Sequence, residues 1–168
     1  ALELRRRGVT ATALIVGDGQ RREQLEQHAA DVGAGDAVHF TGRIPHGDVS
    51  QYYSQLDVFV IPRVDERAAR LVTPLKPYEA MALGVPLVVS DLPALQEITG
   101  DGARGETFAT GDATSLADVL ERLAGSPDRR AELVDNAREW VLSHRTWAHN
   151  DARYARVYDD VLAPSRSR

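Results

Sequence analysis

Five short apolar runs rich in β-branched residues recur along this chain, at residues 10–16, 38–41, 57–61, 85–90 and 106–109. Each ends in a glycine, a proline or a polar turn, and each interval between them is long enough for one helix. Runs that are apolar throughout, rather than alternately, read as strands covered on both faces, the pattern of parallel sheets. Strands alternating with helices at such spacings imply right-handed βαβ crossovers. The fold class expected is therefore α/β: a Rossmann-like parallel sheet with helices on both faces, followed by a helical C-terminal segment.

The intervals fill in as follows. A helix over residues 20–32 carries Leu25, Ala29 and Val32 on one face, and a helix over 47–56 carries Tyr52 and Tyr53, read as packing against the sheet. Pro62-Arg63 opens a polar, arginine-rich loop to Arg70; a helix over 77–83 is stopped by Gly84, and another spans 93–98. The C-terminal helices are expected at 115–124, 128–143 and 151–162, with Trp140, Tyr154 and Tyr158 in the core. His144 and His149 flank a helix break at Thr146-Trp147 and read as surface residues. Residues 1–162 read as one domain, 163–168 as a disordered tail. ALELRRRG at the start reads as the end of an amphipathic helix already under way, with Arg5 to Arg7 solvated, so a fragment of a larger protein is expected.

Composition excludes several classes of function. With a net charge of −5 and no basic tract beyond Arg5 to Arg7, a nucleic-acid partner is not expected. No cysteine is present, which removes disulfide, thiol and cysteine-ligated metal chemistry and fits a cytoplasmic setting. The five histidines are scattered without metal-ligand spacing, and neither a G-x-S-x-G elbow nor a Walker motif occurs. No apolar run is long enough to span a membrane or to serve as a leader.

The chemistry-bearing residues gather where ligands sit in open parallel sheets, outside the carboxyl ends of strands. Gly17-Asp18-Gly19 follows the first run; Gly17 and Gly19 let the backbone approach a ligand, although Arg22 replaces the third glycine of a dinucleotide fingerprint. A plain turn explains those glycines equally well. Arg43 follows the second run and can line a base pocket or stay solvated. Arg63 follows the third. The loop Thr73-Pro74-Leu75 then leads through Lys76 into the helix expected from Pro77, where Thr73 shapes the approach and the first free amides make an anion site. Lys76 is the only lysine among 20 basic residues. A compact ammonium there suits a phosphate, the alternative being a solvated loop lysine. Glu79 can accept both hydroxyls of a ribose, or merely complement the helix dipole.

VGDGQRREQL, VHFTGRIPHGDVSQYY, DVFVIPR and KPYEAMALGVPLVVSDLPALQEI together resemble the C-terminal, donor-binding domain of GT-B glycosyltransferases of family 4, the group 1 branch. The resemblance runs nearly end to end and is most specific around Glu79. It implies a retaining, metal-independent enzyme that transfers a sugar from a nucleotide diphosphate sugar to an acceptor, with no cofactor. It makes Lys76 and Glu79 the catalytic candidates, Glu79 on the ribose and the residues from Thr73 to Lys76 around the diphosphate and sugar. It also implies an acceptor-binding N-terminal domain that these residues do not contain, without which the isolated domain should be inactive; any peripheral membrane association of the intact enzyme would rest with that half. The family pattern carries a sugar-contacting glutamate eight residues before Glu79, where this chain has Leu71. That departure keeps open a non-catalytic module binding sugar nucleotides or protein partners through the same fold. A dinucleotide-dependent enzyme is disfavoured by the incomplete glycine fingerprint and by the lack of an acidic residue ending the second strand.

Overall fold

In the computed structural model, residues 1–162 are described, and the expected tail at 163–168 lies outside them. The chain is α/β throughout. Helix α1 (Leu2–Arg6) leads into strand β1 (Ala13–Val16), helix α2 (Arg22–Asp31) and strand β2 (Val38–Gly42). A single 3-10 turn (His46–Asp48) precedes helix α3 (Val49–Tyr53) and strand β3 (Phe59–Ile61). Helices α4 (Arg67–Leu71) and α5 (Lys76–Ala82), strand β4 (Leu87–Ser90), helix α6 (Pro93–Thr99) and strand β5 (Glu106–Phe108) follow. Helices α7 (Ala113–Ala124), α8 (Pro127–His144) and α9 (Trp147–Leu162) complete the described chain.

Among the described residues the strand ladders are parallel, in two sheets, β1 with β2 and β3–β4–β5 with β4 central, and an isolated antiparallel bridge joins Gly17 to Gly42. The core gathers on the second sheet. Leu87 and Val89 of β4 face Met81 from α5, Leu92 just before α6, and Leu95 and Ile98 within it, with Ala137 and Val141 from α8. Val88, between them in sequence, faces Phe108, Val119, Leu123 and Leu133 on the other side. Successive residues of a strand point to opposite faces, so an all-apolar LVV run is what a strand covered on both sides requires. Gly84 ends α5 at φ +76°, a left-handed conformation that lets Val85 N bond back to Ala80 O at 2.9 Å and turns the chain into β4.

Several expectations are corrected. The first run forms strand only from Ala13, and it is not a buried strand: Ile15 and Val16 remain 37% and 38% exposed, and among the described residues β1 pairs with β2 alone. On α2 only Ala29 is buried, while Leu25 and Val32 are exposed. The arginine-rich stretch after Arg63 is not all loop, since α4 forms inside it. Arg5 to Arg7 are not simply solvated. Arg7 donates to Asp118 Oδ1 at 2.6 Å and Glu121 Oε2 at 3.0 Å, tying α1 to α7, and Arg5 pairs with Asp36 at 3.1 Å. Tyr154, Val157, Tyr158 and Val161 are not core: α9 has no buried residue, and its apolar stripe faces outward. Trp140, by contrast, is packed against the core, with the Arg104 and Arg145 guanidinium groups over its ring at 4.1 and 4.8 Å. Among the described residues, no helix is long and apolar enough to cross a membrane.

Candidate functional site

The candidate residues lie in loops that leave the carboxyl ends of β1, β2 and β3. After β1 and β2 the two glycine turns are joined directly: Gly17 N donates to Gly42 O at 3.0 Å. Gly42 sits at φ +72°, and a Cβ there would lie 2.6 Å from Arg22 Nη1. Arg22, the residue in the third-glycine place, is itself held by Glu26 at 2.7 Å and Asp18 at 3.7 Å. The departure from the glycine fingerprint thus has a local cause: an arginine braced by two carboxylates covers the Gly42 turn. Gly17, Gly19 and Arg43 are exposed beside it.

After β3 the chain is pinned at two points. The Ser90 hydroxyl, fully buried at the end of β4, donates to Arg63 O at 2.8 Å. The Arg63 side chain in turn donates from Nη1 to Val72 O at 3.0 Å, drawing the segment before Thr73 back toward β3. A cavity of about 450 Å³ lies here, lined by Arg63, Val64, Glu66 and Val72 from this segment and by Arg21 from the turn after β1. Arg21 was not singled out from the sequence, where it reads as one of two ordinary arginines opening a helix. Thr73, Leu75 and Lys76 are exposed and Pro74 half-buried. Among the described residues no hydrogen bond or ion pair joins the glycine turns to Lys76 or Glu79; Arg21, at the start of α2, is the residue that brings the first turn to the lining shared with Arg63.

Helix α5 starts one residue earlier than expected, at Lys76, with Leu75 as its N-cap in an α conformation and no side-chain cap. Thr73 therefore does not cap the helix. Pro77 has no N–H, and the Tyr78 and Glu79 amides donate to Leu75 O at 3.0 and 3.4 Å. The anion site expected at this end thus rests on the Lys76 ammonium more than on free helix amides. Glu79 is exposed one turn in, and its Oε2 accepts a hydrogen bond from the Tyr53 hydroxyl at 3.4 Å. Tyr53 is 6% exposed, its ring edge-on to Phe59 at a centroid distance of 5.2 Å. Burial first, and then the Glu79 carboxylate, push its hydroxyl pKa up to about 12.

Tyr53 packs against Phe59 of β3 as expected, yet its hydroxyl also reaches a candidate site residue, which the sequence reading missed. A signal was present: a tyrosine buried just before an apolar strand must still find a partner for its hydroxyl.

Residues 1–140 match the sequence model of a family described as Glycosyl transferases group 1. Over 157 residues the chain is 31% identical to a GDP-mannose-dependent alpha-(1-6)-phosphatidylinositol monomannoside mannosyltransferase of Mycolicibacterium smegmatis, covering 92% of this chain and 41% of that protein. Its fold is similar to sucrose-phosphate synthase from Thermosynechococcus elongatus, at a TM-score of 0.79 and 28% identity, over 90% of this chain and 39% of the other. It is also similar to the C-terminal domain of a glycosyl transferase group 1 family protein from Francisella tularensis, at a TM-score of 0.68 and 22% identity, covering 81% of this chain and 70% of that one. The chain thus spans about two fifths of the length of the mannosyltransferase it matches.

Proposed function

The chain belongs to the glycosyl transferases group 1 family, and we propose that it is the donor-binding domain of a glycosyltransferase that takes a sugar from a nucleotide diphosphate sugar. The observation that carries this reading is the family match over residues 1–140, which contains every residue of the candidate site. In this reading the Glu79 carboxylate accepts hydrogen bonds from the two ribose hydroxyls, and the residues from Thr73 to Lys76 surround the diphosphate and sugar. The Lys76 ammonium stabilises the charge that grows on the diphosphate as the glycosidic bond breaks. A fixed cation aimed at developing charge lowers a barrier without reorganising during the reaction. Gly17, Gly19 and Arg43 line the base side, and Arg63 shapes the loop through Val72 O.

Retention of configuration, independence of metal and of any other cofactor, a cytoplasmic setting and an acceptor-binding domain elsewhere in the protein belong to the same proposal. They are supported by the family resemblance. The acidic net charge of −5 argues further against a nucleic-acid partner.

One observation favours a second reading. Leu71, 70% exposed on α4, stands where the family pattern has a sugar-contacting glutamate, as a domain that binds sugar nucleotides without transferring them would allow. The test is slow donor hydrolysis, with water as acceptor. The gene-encoded full-length protein is incubated with UDP-glucose, GDP-mannose or ADP-glucose in EDTA, and the released sugar is followed by NMR before it mutarotates. The proposal predicts release from one donor, undiminished by EDTA, with the anomer of the donor appearing first. The opposite anomer, or loss of release in EDTA, contradicts it; tight binding without release selects the second reading.

A further inference from the structure

Glu79 is exposed on a helix, and an exposed glutamate has several rotatable bonds whose freedom is lost when it binds a ligand. In this chain the carboxylate has one protein partner, at the long end of hydrogen-bond range. The Tyr53 hydroxyl meets Glu79 Oε2 at 3.4 Å, and an ionised carboxylate only accepts, so the hydroxyl is the donor. The ring carrying that hydroxyl is itself fixed. Tyr53 is 6% exposed, packs in one cluster with Ala80 and Val85, and meets Phe59 edge-on. Ala80 is the residue after Glu79 on the same helix, so the wall that holds the ring and the carboxylate that the ring orients move together. A carboxylate has about four lone-pair positions on its two oxygens. One hydrogen bond from Tyr53 leaves Oε1 and the outer side of Oε2 for two further donors, the number a vicinal diol presents.

We propose that Tyr53 is a positioning residue: through its hydroxyl it holds the Glu79 carboxylate in the orientation that accepts a ribose diol. This rests on the reading of Glu79 as the ribose acceptor and adds a residue from a different element, α3, to that subsite. The hydroxyl of Tyr53 makes no contact with the ligand itself; its effect passes through Glu79.

The test separates the two claims by using the diol as its own probe. UDP, GDP and ADP, and their 2′,3′-dideoxy counterparts, which lack both hydroxyls, are titrated into the wild-type chain, Glu79→Gln and Tyr53→Phe. The ratio of ribo to dideoxy affinity is read for the nucleotide that binds. The expected result has three parts: the wild type prefers the ribonucleotide, Glu79→Gln abolishes the preference, and Tyr53→Phe weakens the ribonucleotide by about three- to tenfold while leaving the dideoxynucleotide unchanged, the scale of one lost hydrogen bond. If Glu79→Gln removes the preference but Tyr53→Phe keeps it whole, the positioning role is overturned and the ribose role of Glu79 stands. Equal weakening of both nucleotides by Tyr53→Phe makes Tyr53 a merely structural residue and also overturns the proposal. A wild type with no ribo preference, or no binding, or a preference that survives Glu79→Gln, overturns the reading of Glu79 and this inference with it.

Discussion

The Tyr53–Glu79 pair sets a neutral phenol against a carboxylate, and its sign with pH follows. An ordinary tyrosine ionises near pH ~10; burial and the nearby Glu79 charge push Tyr53 up to about 12. The fold therefore favours the neutral phenol. Its contribution to stability is whole below pH ~10 and is lost as pH rises through about 12. Denaturant unfolding of the wild type and Tyr53→Phe at stepped pH should show the wild type losing stability relative to the variant across that alkaline window. A difference between the two that stays flat to the top of the window would contradict the raised pKa. Glu79 and Lys76 could be nominated from the sequence because their chemistry is local: a lone lysine and an acid one turn apart, between a proline-rich loop and an apolar strand. The Tyr53 hydroxyl could not, because its partner lies 26 residues away and only the packing of Tyr53 in one cluster with Ala80 brings them together. Arg22 shows the same limit. Its absence of glycine was visible, but not that it covers Gly42 on the neighbouring strand.

Among the elements, boundaries moved where capping chemistry or pairing decided them. Helix α7 begins at Ala113, two residues before the position expected from its apolar stripe, because Asp112 accepts from Thr114 N at 2.8 Å and Ser115 N at 3.0 Å. An aspartate before an apolar-periodic run is a readable helix start, and here it outweighs the first apolar residue. Asp112→Ala is expected to cost about 1 kcal/mol, with Asp112→Asn close to wild type, measured by urea unfolding; an alanine variant as stable as wild type would show that the cap is idle. Helix α9 shows the opposite failure. Its stripe of Tyr154, Val157, Tyr158 and Val161 has the helical period of a buried face, and periodicity was correct about helix but silent about what covers it. Strand β1 is similar: its composition is that of a strand with two neighbours, and the described chain pairs it with one.

Over the whole molecule, five parallel-paired strands and their crossovers place every candidate residue in the loops that leave carboxyl ends, or on the helix that one such loop feeds. The alternation of strand and helix was enough to read the parallel pairing, since parallel neighbours need a crossover between them. The division into two sheets was not readable, because the choice of neighbours belongs to tertiary contacts rather than to any single run. The central claim is that these loops together hold a nucleoside diphosphate, with Lys76 on the phosphates and Glu79 on the ribose. Its most direct test is NMR: UDP, GDP, ADP and NAD are titrated into the chain, beside Lys76→Ala and Glu79→Gln, and backbone amide shifts are followed. The account predicts that one nucleoside diphosphate shifts the Gly17, Gly42 and Thr73 loops together, that both variants weaken it, and that NAD does not compete. Shifts confined to other surfaces, or a diphosphate that binds both variants as tightly as the wild type, would contradict it.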